Sequence, residues 1–231
     1  MQHKWLKTTE VEVASNKLSF YIETIEVNQL SPLAFFAAGE KKYKGERFFW
    51  QNREKTLTIV GLGQAIAFEN RSGHQRFDEI EYQWKELTKN IVMEEQEPQP
   101  ILFGGFTFDP ENKESGEWDG FPQSYFTVAT FQLIKQHEKT YVSIHLITDQ
   151  QDSSNLFDEL REERDRLIHA VQVKELKTYD KPEILSVHER NKEDYFQAVE
   201  SVTNLIRNQE ADKVVIARSL ELEVKDSVSS P

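Results

Sequence analysis

The 231 residues include no cysteine. Disulfides and thiolate metal sites are therefore both excluded, and the absence fits a reducing compartment. No apolar run approaches the roughly 18 residues needed to cross a bilayer. The opening Met1-Gln2-His3-Lys4-Trp5-Leu6-Lys7-Thr8 lacks an apolar core of signal-peptide length. A cytoplasmic protein without membrane contact is the expectation. Positive charge is also scarce, with 28 Lys and Arg against 40 Asp and Glu and a formal net charge of -12. Such a surface disfavours nucleic acid and anionic membrane as partners, while a local pocket field can still admit an anionic small molecule. The six histidines His3, His74, His137, His145, His169 and His188 show no close metal-ligand spacing. All six read as structural or surface residues, and the metal-ligand assignment is none. Neither a phosphate loop nor a nucleophile elbow occurs.

What the chain does contain is enough to fold. Apolar residues make up 38% and aromatics 11%, ample for a packed core under a charged surface. Leu18, Phe20 and Ile22 alternate with polar residues as a half-buried strand. Ser31 suits an N-cap, Pro32 the first helical position and Gly39 a left-handed residue after a short helix. Strands follow over 47–50, 57–60 and 65–68. Between the last two, Gly61-Leu62-Gly63 lacks the third glycine of a dinucleotide fingerprint and precedes a strand, so it reads as a tight turn with positive φ. Phe77, Ile80, Trp84, Leu87 and Ile91 recur at helical spacing between Gln75 and Lys89 and just beyond, as one core-facing stripe. After the connector 94–100 comes Ile101-Leu102-Phe103-Gly104-Gly105-Phe106, whose paired glycines imply a bulge or a close backbone approach. Residues 125–133 and 141–148 read as a hairpin across Gln136-His137-Glu138-Lys139. A helix capped by Ser153 or Ser154 then runs to about Val173, with the charge run 161–166 as its solvated face. Asp180-Lys181-Pro182 breaks the pattern, and Asn191 caps a last helix with the stripe Tyr195, Val199, Val202 and Ile206.

That helix delivers the chain to Asp212-Lys213-Val214-Val215-Ile216-Ala217-Arg218-Ser219-Leu220-Glu221-Leu222-Glu223-Val224. As a strand, it places Val214, Ile216, Leu220, Leu222 and Val224 on one face, broken by Arg218. Lys213, Val215, Ala217 and Ser219 share the other. An ammonium held against Val215 and Ala217 would lose solvation, which favours the neutral amine that a general base requires. The same residues read equally as an ordinary solvated lysine opening a strand.

Three stretches in this order resemble the isochorismate synthases, of the menaquinone type, among the chorismate-utilising enzymes. The first runs from Ser31-Pro32-Leu33-Ala34-Phe35 through Arg47-Phe48-Phe49-Trp50 to Gly61-Leu62-Gly63. The second is Phe103-Gly104-Gly105-Phe106-Thr107-Phe108-Asp109-Pro110 with Trp118 and Phe121, and the third is the helix from Asn191 with the run opening at Lys213. The resemblance implies conversion of chorismate to isochorismate with Mg²⁺, water adding at C2 while the C4 hydroxyl leaves, and it makes Lys213 the catalytic base. Relatives that use ammonia typically carry glutamine there, so the lysine favours water. Glutamine at position 209, where many relatives have glycine, and alanine at 129, where proline is common, depart from the pattern. The family's general acid, Mg²⁺ ligands and carboxylate-binding residues belong to a C-terminal half that these residues do not include.

The expected architecture is α+β, mainly antiparallel sheet packed against amphipathic helices, a partial chorismate-utilising fold. Residues 1–186 are expected to form an N-terminal α+β region, and residues 187–231 the start of the chorismate-binding domain. Chorismate is the implied small-molecule partner. Open sheet edges invite self-association. Two alternatives stand beside this reading: a non-catalytic module that binds a partner, and another chorismate enzyme such as a salicylate synthase. The chain by itself is expected not to turn chorismate over.

Overall fold

The computed structural model describes residues 18–71, 73, 75–89, 91–94, 98–111, 120–149, 154–173 and 182–225. His3, His74, Trp118, Ser153 and Asp180-Lys181, singled out above, lie outside them. The chain divides into two compact units, Met1–Leu176 and Lys177–Ser230.

The first unit is built on a six-stranded sheet of order β2-β3-β8-β9-β1-β5. Its strands are β1 (Ser19–Glu26), β2 (Arg47–Gln51), β3 (Leu57–Leu62), β5 (Ile91–Val92), β8 (Phe131–Gln136) and β9 (Lys139–Thr148). A three-stranded sheet of order β4-β7-β6 joins β4 (Ile66–Asn70), β6 (Leu102–Phe106) and β7 (Ser124–Val128). Every pairing in the two sheets is antiparallel except the short β1–β5 contact, where Phe20 stands opposite Ile91. The α+β expectation is thus met. Ile91, read above as the end of a helical stripe, belongs to that parallel contact.

Alternation decides which residues go inside. Val60 and Leu62 of β3, Phe131 and Leu133 of β8, and Val142 and Ile144 of β9 are all fully buried. They form one core with Phe35 of α1 (Pro32–Ala38) and Leu167 of α3 (Ser154–Val173). Phe20 and Ile22 of β1 join Phe68, Val128 and the Ile80 and Leu87 stripe of α2 (Arg76–Thr88) in a second. Both cores remove apolar surface from water at about 25 cal/mol per Å².

The local signals held at some helix ends and failed at others. Ser31 Oγ accepts from the Ala34 amide at 3.3 Å, with Pro32 behind it, as its sequence implies. Gly39 closes α1 at φ -77 in a right-handed conformation rather than the left-handed one expected, and its amide reaches Phe36 and Ala37. Gly63 does take the positive φ, at 73, whereas Gly61 lies inside β3. Phe77 is exposed on α2 and meets Phe106 with ring centres 4.4 Å apart and planes tilted by 46°, instead of entering the core.

Two larger corrections come from tertiary packing. The single strand expected over 125–133 is two strands in two sheets, β7 and β8, separated at Ala129-Thr130. The crossing is held by the His145 amide, which donates to the Thr130 carbonyl at 2.9 Å, and by the His145 ring, whose Nδ1 lies 2.8 Å from the Ala129 carbonyl. The 161–166 charge run is not simply a solvated face. Arg164, 7% exposed, and Glu163 are buried against β1 and the chain after α1. Arg164 Nη1 donates to Glu23 Oε1 at 2.9 Å, and Arg161 Nε to Glu23 Oε2 at 2.8 Å. Glu163 accepts from Tyr43 Oη at 3.3 Å and pairs with Lys42 at 2.8 Å. These hydrogen bonds hold the Glu23 carboxyl below its usual range, the Arg161 contact contributing most.

Candidate active site

The second unit carries Lys213. It consists of β10 (Ile184–Glu189), α4 (Lys192–Arg207) and β11 (Leu220–Val224), the two strands pairing antiparallel with a bulge between Ile184 and Ser186. A boundary at 186/187 would cut β10, whose pairing with β11 assigns the whole strand to this unit. Ser186 Oγ bridges the pair, donating to Glu223 at 2.7 Å, and Lys225 meets Glu183 at 2.8 Å.

Asn191 stands at the N-cap of α4 with φ 52, and its carbonyl accepts from the Tyr195 amide at 3.0 Å. Its side chain makes no capping bond, contrary to the sequence expectation, because the left-handed backbone differs from the extended one that N-cap side chains need. At the other end Gln209 has φ 62, its amide donates to Ile206 at 3.1 Å, and the Glu210 amide donates to Leu205 at 2.9 Å. This paired closure is the Schellman arrangement. No residue of α4 is buried, so the stripe of Tyr195, Val199, Val202 and Ile206 has no core in the described residues.

Residues 213–219 form no strand, and β11 begins only at Leu220. The expected alternation from Lys213 therefore lacks its ladder: β10 pairs with β11 as far as Glu189 opposite Leu220 and goes no further. Lys213 is exposed and Val215 is 81% exposed. The apolar wall anticipated for the ammonium is absent among the described residues. What does hold this segment is Arg218. Its Nη1 donates to Glu189 Oε2 at 3.1 Å, and its guanidinium carbon lies 5.2 Å from the centre of the Tyr195 ring. Lys192 shares the same Glu189 oxygen at 3.4 Å. Only one sign of this was available beforehand, the interruption of an apolar face by a charge.

Of the other residues considered, Gly104 is a close-packing position, since a Cβ there would lie 2.0 Å from the Tyr125 carbonyl oxygen. Gly105 faces open space. His145 is fully buried, and burial pushes its ring down to about 4. Among the described residues no three acidic or histidine side chains gather to hold a metal ion. No helix among them is long and apolar enough to cross a membrane.

Comparison with known proteins agrees with the three sequence stretches. A family model described as chorismate binding enzyme matches residues 6–231. Isochorismate synthase MenF of Bacillus subtilis is 34% identical over 206 residues, covering 85% of this chain and 43% of that protein. A salicylate biosynthesis isochorismate synthase of Pseudomonas aeruginosa is 28% identical over 116 residues, 50% of this chain and 23% of the relative. The solved structure of MenF, the menaquinone-specific isochorismate synthase from Escherichia coli, shares the fold at TM-score 0.58 and 18% identity, over 92% of this chain and 43% of the other. The chain thus spans less than half the length of these relatives. With the family model running through both units and the opening of the Lys213 segment, the chain belongs to the chorismate-binding enzymes.

Proposed function

We propose that this chain is part of an isochorismate synthase of the menaquinone branch, with Lys213 as its base. The observation that supports this most is the 34% identity to the Bacillus subtilis isochorismate synthase across 85% of the chain. In this reading Lys213 takes one proton from water as its oxygen bonds to C2 of chorismate. The ring double bond shifts, the C4–oxygen bond breaks, and the departing hydroxyl leaves as water with a proton from a separate acid. An amine suits the base role because only one proton has to be removed, and desolvation makes the neutral form accessible. Among the described residues Lys213 is exposed to water. The ion, which would hold the substrate's ring carboxylate, and the acid belong in this reading to residues beyond those described. The reading also carries a cytoplasmic location and self-association through open edges such as β2 and β6.

Purified chain incubated with chorismate and Mg²⁺ is expected to yield no isochorismate, and its appearance would overturn the inactivity of this portion alone. In a form extended to the length of the relatives, Lys213→Ala is expected to abolish isochorismate formation. Retained turnover would remove Lys213 from the base role, and salicylate as the released product would move the protein to the salicylate-forming branch.

A further inference from the structure

Residues 211–219 connect two fixed points without regular structure of their own. At one end, the closure of α4 fixes Gln209 and Glu210 through the amide bonds to Ile206 and Leu205. At the other, Arg218 is tied both to β10, through Glu189, and to the first turn of α4, through Tyr195. Lys213 lies between, three residues beyond Glu210 and five before Arg218. If the second tie is released, a chain hinged at Glu210 lets position 213 sweep a radius of roughly 10 Å. A displacement of even about 1 Å at a reacting group costs on the order of a hundredfold in rate.

We infer that Arg218 is the positioning residue for Lys213, holding the far end of its segment by a simultaneous ion pair to Glu189 and stack on Tyr195. The residue type fits this double duty. A guanidinium is planar, so it can offer an edge N–H to a carboxylate while stacking its face on a ring; the ammonium of lysine has no flat face to stack. Arg218 stands two residues before β11, outside any ladder, so its two contacts rather than strand pairing tie this end of the segment. Lys192 also faces Glu189, at 3.4 Å from the same oxygen, and competes for it. The inference rests on the assignment of Lys213 as the base.

The absence of cysteine makes a direct test simple. A spin label attached through Lys213→Cys in the 231-residue chain reports segment mobility without turnover, and a label at Glu200→Cys on α4 serves as reference. Arg218→Gln is expected to lower the ratio of immobilised to mobile label at 213 roughly tenfold, the combined effect of one part-exposed ion pair and one cation–π contact. Arg218→Lys and Tyr195→Leu, each retaining one arm, are expected to fall between, and the α4 label is expected to keep its spectrum throughout. An unchanged spectrum at 213 in Arg218→Gln overturns the inference. Equal loosening of both labels also overturns it, because Arg218 would then hold the unit together rather than position the segment. Since no step is catalysed, failure here is separate from failure of the Lys213→Ala test.

Discussion

The amide of Glu210 donates to the carbonyl of Leu205 at 2.9 Å, five residues back, and so ends α4 immediately before the segment that carries Lys213. The bond requires the intervening Gln209 to adopt φ 62, a left-handed conformation in which a Cβ crowds the following carbonyl. Glycine has no such cost. A glycine at this position would therefore relieve strain.

Gln209→Gly is expected to stabilise the end of α4 by about 1 kcal/mol. No tryptophan occurs in residues 177–230, so α4 has no fluorescent reporter within its own unit. Hydrogen exchange at the α4 amides is the appropriate measurement, with slower exchange in the glycine variant. Unchanged or faster exchange would contradict the strain argument.

The adjacent glycines of β6 are expected to behave oppositely. In Gly104→Ala the new methyl would stand 2.0 Å from the Tyr125 oxygen and 2.7 Å from the Phe126 Cα, both backbone atoms of the paired strand, which cannot turn aside. A loss of about 3 kcal/mol is expected in urea unfolding followed by tryptophan fluorescence. Gly105→Ala meets nothing within 4 Å and is expected to stay within about 0.5 kcal/mol of the parent.

His145 gives the first unit a pH dependence of defined sign. The Ala129 carbonyl can only accept, so Nδ1 carries the proton, and the buried Nε2 has no hydrogen-bond partner among the described residues. Burial lowers the ring from the ordinary 6.5 to about 4. The unfolded chain therefore takes up a proton first as pH falls. The stabilisation is complete above 6.5 and is lost between there and about 4, by on the order of 3 kcal/mol in all. Urea midpoints between pH 7 and pH 5 are expected to fall in the parent and to flatten in His145→Gln, whatever the variant's absolute stability.

Glu23 acts in a lower window. Its carboxyl is depressed below 4.5 by hydrogen bonds from Arg161 and then Arg164, so its contribution is present above 4.5 and is lost as pH falls through the lower folded value. Glu23→Gln leaves the buried Arg164 with Asp165 as its remaining acidic partner, at 2.9 Å, and is expected to cost about 1–2 kcal/mol at pH 7. Thermal unfolding of parent and variant should converge below the folded value of Glu23. A gap of equal size at all pH values would assign the loss to packing instead.

Much of the first unit was legible in the sequence because its cues are local. The alternation of Phe20 and Ile22, the cap by Ser31 and Pro32, and the Ile80 and Leu87 stripe of α2 depend on neighbours two to seven residues away. The break at Ala129-Thr130 was not legible. A strand that changes sheets keeps its apolar content, and only the His145 contacts from β9 mark where it turns. Glu163 and Arg164 were likewise hidden, because a charge run looks solvated until Tyr43 and Glu23 are brought to it from far away in sequence.

The sequence by itself determined the α+β class, the family and the choice of Lys213 as the residue to follow, since each rests on residue types in order along the chain. Tertiary structure alone decided that the Lys213 segment stays outside any ladder and that Arg218 spans Glu189 and Tyr195 to hold it. The physical reason is that strand formation depends on a partner edge. β10 is matched with β11 only as far as Leu220, and alternation in one segment carries no information about whether a second strand lies beside it.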